Sequence, residues 1–254
     1  MTSLAERLGS SPAAADSVRL ESVSKVYGRG GAAVTALNEV SLALASGSFT
    51  AMMGPSGSGK STFLQCAAGL DRPTAGSVFL GETDLASLSE NALSRLRRET
   101  VGFVFQSFNL VPSLTAAQNI TLPLRLAKRK AEKAWLGEVI ERVGLTKRAK
   151  HKPGELSGGQ QQRVAIARAL VTRPRVIFAD EPTGALDTRA SREILALLRE
   201  AVDGLEQTVA MVTHDPIAAS YADAVVFLAD GQVVDTMTGP SAARVAERMT
   251  RLED

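Results

Sequence analysis

Residues 49–69 read FTAMMGPSGSGKSTFLQCAAG, and this stretch decides the fold class. The short, mostly apolar run Phe49–Met53 has the length and character of a buried strand. It leads into Gly54-Pro55-Ser56-Gly57-Ser58-Gly59-Lys60-Ser61, the pattern of a phosphate-binding loop, and then into a helical pattern opened by Thr62. Glycines at these spacings let successive backbone N–H groups turn inward around phosphate oxygens, and the following helix aims the positive end of its dipole at the same point. Lys60 then reaches the outer phosphates, and the Ser61 hydroxyl offers an oxygen to Mg²⁺. The strand before and the helix after distinguish this loop from a glycine-rich turn of purely structural role.

Outward from this segment, β-rich runs at residues 18–23 and 40–44 are punctuated by Gly28, Gly30, Gly31 and Gly47, which suggests an antiparallel edge. Apolar strands are expected at Val101–Phe105, 176–179, 209–212 and 225–228, alternating with helical patterns such as Ile194, Leu197, Leu198 and Ala201 on one face. That alternation predicts an α/β fold with a parallel sheet. Between residues 107 and 169 the β signals disappear, and residues 115–150 read as charged helices inserted into the sheet pattern.

Composition narrows the function classes. The 254 residues are 44% hydrophobic, enough for a substantial core, and 29 Lys and Arg against 27 Asp and Glu leave a net charge of +2. Such a balance gives no general attraction to nucleic acid. The basic run Arg125, Lys128, Arg129, Lys130 and Lys133 is interleaved with Glu132, Glu138 and Glu141 and carries no aromatic stacking series, so it reads as a solvated helix face. The single cysteine, Cys66, excludes an internal disulfide and a cysteine metal cluster, and it reads as a packing residue. Apolar stretches such as Ala224–Ala229 fall far short of the ~18 residues that span a bilayer, so no membrane pore is expected.

Two further motifs carry chemistry. Asp180 and Glu181 end an apolar strand, where a buried sheet presents its acids to a phosphate site. Asp180 suits Mg²⁺, directly or through water, and Glu181 suits polarisation of an attacking water. Leu156-Ser157-Gly158-Gly159-Gln160 precedes a helical run at 161–170, so Ser157 caps a helix whose amides remain open to an anion. That is a second phosphate-binding end, and it hints at a nucleotide held by a partner. Taken alone, His214 reads as a strand-end histidine and Tyr27 as core packing.

Together, the phosphate loop, Gln106, the segment 156–160, Asp180-Glu181, Gly184-Ala185-Leu186-Asp187 and His214 resemble an ATP-binding cassette ATPase over about residues 18–234. Leu-Ser-Gly-Gly-Gln is close to diagnostic, whereas the phosphate loop alone occurs in many unrelated nucleotidases. The resemblance implies an α/β P-loop NTPase core with an N-terminal antiparallel β subdomain and an inserted α-helical subdomain at about 107–169. A single domain would cover residues 18–250, behind a disordered leader at 1–17. It implies ATP and Mg²⁺ as ligands and a head-to-tail dimer in which each ATP lies between the loop of one subunit and residues 157–160 of the other. By the same resemblance Gln106 senses Mg²⁺ and the attacking water, His214 contacts the γ-phosphate, Asp187 communicates across the dimer and Tyr27 stacks on adenine.

The segment FQSFNLVPSLT at 105–115, followed by NITLPL at 119–124, resembles the ATPases of macrolide-export, lipoprotein-release and antimicrobial-peptide-resistance systems. The resemblance implies a separate transmembrane permease as partner, a place on the cytoplasmic face of the cell membrane, and work in export or in transmitting force across it. A solute importer and a cell-division-type signalling ATPase that moves no solute stay open as alternatives.

Overall fold

The computed structural model describes residues 16–253. They form two sheets. The first is antiparallel and contains β1 (Asp16–Tyr27), β2 (Val34–Ala45), β4 (Ala75–Leu80) and the short β5 (Thr83–Asp84), in the order β2-β1-β4-β5. The second contains β3 (Phe49–Met53), β6 (Val101–Phe105), β7 (Val176–Asp180), β8 (Thr208–Val212), β9 (Ala224–Ala229) and β10 (Gln232–Thr238), in the order β10-β9-β3-β8-β7-β6. Its first five strands in sequence are parallel, and β10 closes one edge as an antiparallel partner of β9.

The parallel strands read as continuous apolar runs because both of their faces are covered. Alternate residues then serve different cores. Phe49, Ala51, Ile177, Ala179, Val209 and Met211 pack with the outer helices. Met52, Val176, Phe178, Ala210 and Val212 pack on the other side with the antiparallel sheet and α1 (Lys60–Ala67), whose Phe63, Leu64 and Cys66 are buried there. Helix α1 therefore lies between the two sheets, directly beneath the loop that precedes it. Burial also pushes the Cys66 thiol up to about 11, consistent with a packing role.

The expected helical insertion is present as α3 (Ala116–Leu126), α4 (Lys133–Arg142) and α5 (Gly158–Leu170). The fully buried Asn119 ties the preceding turn together: its Oδ1 accepts from Val111 N–H at 2.8 Å, and its Nδ2 donates to the carbonyls of Val111, Leu114 and Thr115. In the same core, α6 (Thr188–Leu205), which follows β7 in the chain, buries Ile194, Leu195, Leu198, Ala201 and Val202 along one face.

The structure differs from the sequence expectation in several places. Residues 1–15 of the expected leader lie outside the described residues, but Asp16 and Ser17 already belong to β1. Ser17 Oγ is 2.7 Å from Thr208 Oγ1 and 2.9 Å from Ser46 Oγ, so hydroxyls order this segment by bridging the two sheets. Strands β1 and β2 run well beyond the expected 18–23 and 40–44 because their ladder continues from Asp16 opposite Ala45 to Tyr27 opposite Val34 across several register shifts. Helices α2 (Glu90–Thr100), α7 (Pro216–Ala219) and α8 (Ala242–Glu253) join the elements already expected.

Candidate functional site

The phosphate loop links β3 to α1. Gly54 has φ of 152°, and a Cβ there would lie 2.0 Å from the carbonyl oxygen of Leu228. Gly59, at φ 99°, caps α1, and a Cβ would lie 2.3 Å from the Ala36 carbonyl oxygen. Close approach of backbone thus demands glycine at both positions. Between them, Pro55 accepts a hydrogen bond from Ser58 N–H at 3.2 Å, Ser58 is buried, and Ser56 and Gly57 are exposed. Because Gly59 has no side chain to cap α1, the helix presents its first N–H groups toward the loop, with Ser61 exposed on the first turn and Thr62 beside it.

Lys60 folds over this loop. Its ammonium donates to the carbonyls of Gly54 at 2.8 Å and Pro55 at 2.7 Å, and lies 3.4 Å from Ser58 Oγ. Burial lowers its pKa, opposed by the charges of Glu181 and Asp180, which places both carboxylates within electrostatic reach of the ammonium.

Sheet register brings the remaining groups to the same end. Asp180 of β7 stands opposite Phe105 of β6 and Val212 of β8. The residues that follow these strand ends are Glu181, Gln106 and the pair Thr213-His214, so parallel pairing alone delivers them side by side at the carboxyl edge, where the loop leaves β3. Burial, reinforced by the adjacent Glu181 charge and opposed by Lys60, raises the pKa of Asp180. Glu181 turns out of the strand in the left-handed region, at φ 48°, while its N–H still donates to the Val212 carbonyl at 2.9 Å. Its carboxylate lies 2.8 Å from Nδ1 of the exposed His214.

Gln106 rests against Gly184. A Cβ at Gly184 would approach Gln106 Nε2 to 2.7 Å and Cδ to 3.1 Å, so this glycine is the floor on which the amide lies. Just beyond, Phe108 and Asn109 adopt left-handed backbone at φ 58° and 49°. The mostly buried Arg168 of α5 holds that turn by donating to the carbonyls of Phe108 at 2.9 Å and Asn109 at 2.5 Å, and burial lowers its pKa.

The segment 157–160 forms a separate cradle. Ser157 caps α5 in a reciprocal box with Gln160, at 3.4 Å from Gln160 N–H to Ser157 Oγ and 3.1 Å from Ser157 N–H to Gln160 Oε1. Gly158 and Gly159 face Leu186 and Ala190, on either side of Asp187, whose carboxylate caps α6 through Ala190 N–H at 2.9 Å. No hydrogen bond or ion pair among the described residues joins this cradle to the phosphate loop. Tyr27, at the end of β1, is 39% exposed, donates its hydroxyl to Asp71 at 2.9 Å and meets Thr62 of α1. The ring is partly exposed beside the helix that carries the loop, with the Lys25 ammonium 4.9 Å from its centroid.

Sequence reasoning missed Gln162, Arg168 and Asp71. Gln162 had a readable signal: it occupies the buried stripe that continues through Ala165, Ile166 and Ala169, where a polar residue is out of place. The contacts of Arg168 and Asp71 are made to segments distant in sequence, which no local pattern records.

For Mg²⁺ the donor chemistry fits. Asp180 and Ser61 offer oxygens beside the loop, and no group of three or more His, Cys, Asp or Glu among the described residues could hold an ion by protein ligands alone. A hard cation bound through one carboxylate, a hydroxyl and phosphate oxygens needs no more.

Comparison with known proteins identifies the family. Residues 37–184 match the ABC transporter family. The chain is 49% identical to the uncharacterized ABC transporter ATP-binding protein YvrO of Bacillus subtilis, over 85% of this chain and 94% of that protein. It is 46% identical to the macrolide export ATP-binding/permease protein MacB 1/2 of Paracoccus denitrificans over 89% of this chain, which is 34% of that longer protein. Among solved structures, the dimeric post-hydrolysis state of the cassette MJ0796 of Methanocaldococcus jannaschii, bound to ADP and Pi, has a TM-score of 0.79 at 41% identity, covering 88% of this chain and 99% of that one.

Proposed function

The chain belongs to the ABC transporter family as an ATP-binding, ATP-hydrolysing cassette, and from that premise we propose how its residues divide the work. The phosphates of ATP lie in the loop 54–61, with Lys60 turned from its own carbonyls onto the outer phosphates and Tyr27 against the adenine. Asp180, Ser61 and Gln106 stand where Mg²⁺ would bind, and the bound ion would neutralise charge on the outer phosphates. Glu181 accepts a hydrogen bond from the attacking water and takes its proton as the new bond to the γ-phosphorus forms and the bond from that phosphorus to the bridging oxygen breaks, so that ADP leaves and phosphate is released. His214 holds the carboxylate and contacts the γ-phosphate. One relationship supports this assignment: Gln106, Glu181 and His214 follow adjacent strands at the end where the phosphate loop begins.

The second cradle, at 157–160, serves the nucleotide of a second copy, so the working unit is a head-to-tail homodimer with Asp187 near the boundary. The dimeric structure of the related cassette MJ0796 supports this. Among the described residues no helix is long and apolar enough to cross a membrane, and the name of the Paracoccus relative joins an ATP-binding part to a permease. The permease part in that name supports a separate permease as the partner in this reading, docked in the groove of about 360 Å³ beside the Gln106 loop, between Phe103, Phe105, Pro123 and Arg168. That arrangement places the cassette on the cytoplasmic face of the membrane. The macrolide-export relative favours an exporter or force-transmitting system.

Mixed dimers test the shared site. Lys60→Ala removes phosphate contacts of roughly 1.5–3 kcal/mol, and Ser157→Arg places a bulky cation in the second cradle. Both are made in a Glu181→Gln background, which should trap ATP rather than turn it over. A mixed dimer of the two collects both defects in one composite site and leaves the other intact, so one ATP is retained per dimer. Retention no better than in the parent homodimers would reject the composite site.

A further inference from the structure

Gln162 is fully buried in α5, yet its amide joins two backbone segments of the site. Nε2 donates to the Pro182 carbonyl at 2.7 Å and to the Phe105 carbonyl at 3.2 Å. Both partners are acceptors, so the nitrogen must face them and the amide orientation is fixed. Phe105 immediately precedes Gln106, and Pro182 immediately follows Glu181. Oε1, on the opposite side, is buried with no hydrogen-bond partner among the described residues. An unpaired buried acceptor is unfavourable, and an apolar side chain of similar volume would fill this position in the stripe without that cost.

We propose that Gln162 is a positioning residue that locks Gln106 and Glu181 to the helix whose N-terminus is the second nucleotide cradle. Only one turn of helix separates Gln162 from Ser157 and its cap. A shift of that helix end on meeting the nucleotide of the other copy is therefore carried by one amide to the backbone on both sides of the hydrolytic water. Occupancy of the composite site and alignment of Glu181 become one event. This inference rests on the assignment of Glu181 and Gln106 made above.

Gln162→Met keeps the length and volume of the side chain and removes both donors. In the full-length chain, kcat for ATP hydrolysis should fall about tenfold or more, while KM and the Kd for ATP measured with Mg²⁺ stay within about twofold, because the phosphate loop makes no hydrogen bond to Gln162. Should Gln162→Met fail to fold, Gln162→Asn, one methylene shorter and unable to reach both carbonyls, carries the same expectation. A kcat within twofold of the unsubstituted protein, or a parallel loss of kcat and ATP affinity, overturns the proposal. Glu181→Gln measured alongside separates the two assignments. Normal turnover in Glu181→Gln with a loss in Gln162→Met rejects the role of Glu181 and leaves Gln162 acting through Gln106. The reverse result rejects Gln162 alone.

Discussion

His214 Nδ1 lies 2.8 Å from the carboxylate of Glu181, and Glu181 is itself held at φ 48° with its N–H on the Val212 carbonyl. Backbone and imidazole together fix a carboxylate that would otherwise swing freely at the edge of the sheet. His214→Ala should therefore lower kcat by about 10²-fold, the usual scale for losing a group that aligns acid–base chemistry. ATP affinity should fall less than about tenfold, since the loop contacts remain. Steady-state kinetics with a nucleotide titration decides it, and turnover within twofold of the original would remove His214 from the mechanism.

Gly184→Ala probes the floor under Gln106. The added methyl would stand 2.7 Å from Nε2, and the end of a flexible side chain can move away cheaply. Stability should change by less than about 1 kcal/mol, as for a surface substitution without backbone conflict. The Gln106 amide is displaced nonetheless, so hydrolysis should fall about tenfold, equivalent to ~1.4 kcal/mol of barrier. Unchanged turnover would show that the position of Gln106 does not matter to the reaction.

The loop glycines separate steric from conformational demand. Gly54→Ala drives a methyl to 2.0 Å from the Leu228 carbonyl oxygen, backbone that has nowhere to go, and should cost more than about 4 kcal/mol. Gly57 has nothing within 4 Å, so Gly57→Ala suffers only its left-handed φ of 80°, about 1–2 kcal/mol. Urea unfolding of the two variants should give clearly different midpoints. Equal destabilisation would contradict the packing described for Gly54.

Elements buried on both faces were legible in the sequence because an apolar run needs no partner to be recognised. Phe49–Met53 and Val101–Phe105 fall where they were expected. The edge strand Gln232–Thr238 was not legible, since half of its surface is solvated and Asp235 and Thr236 interrupt the apolar alternation. Ala75–Leu80 is hidden in the same way by a polar start at Gly76 and Ser77. Within the site, the phosphate loop, Asp180, Glu181 and the cap at Ser157 follow from local pattern, the roles of Gln106 and His214 follow from resemblance, and the register brings Gln106, Glu181 and His214 together. The polar place of Gln162 in a buried stripe is readable, but its partners and those of Arg168 are carbonyl groups, which carry no side-chain signature in a sequence.

Asp180 illustrates the tension between stability and function. Burial and the neighbouring Glu181 charge raise its folded pKa above the ordinary carboxylate value, so the folded state binds the proton more readily than the unfolded chain. Its charge thus destabilises the fold above the raised pKa, and the penalty disappears as pH falls through that value to the unfolded one. Asp180→Asn should raise Tm at neutral pH, by about 2–4 °C for each kcal/mol recovered, and the gain should shrink on acidification. Thermal melts of both proteins across the carboxylate range test the sign. A lower Tm for Asp180→Asn at pH 7 would refute it.

The six-stranded sheet also sets how this protein can diverge. Along β7, Ile177 and Ala179 belong to the core shared with the outer helices, whereas Val176 and Phe178 belong to the core shared with α1 and the antiparallel layer. Neighbouring positions in one strand therefore answer to different constituencies. Exchanges confined to the odd-numbered side of β7 can refit the outer helices without touching the core around α1. The side that packs on α1, one residue away, keeps its own packing and can stay constant while the outer layer is remodelled.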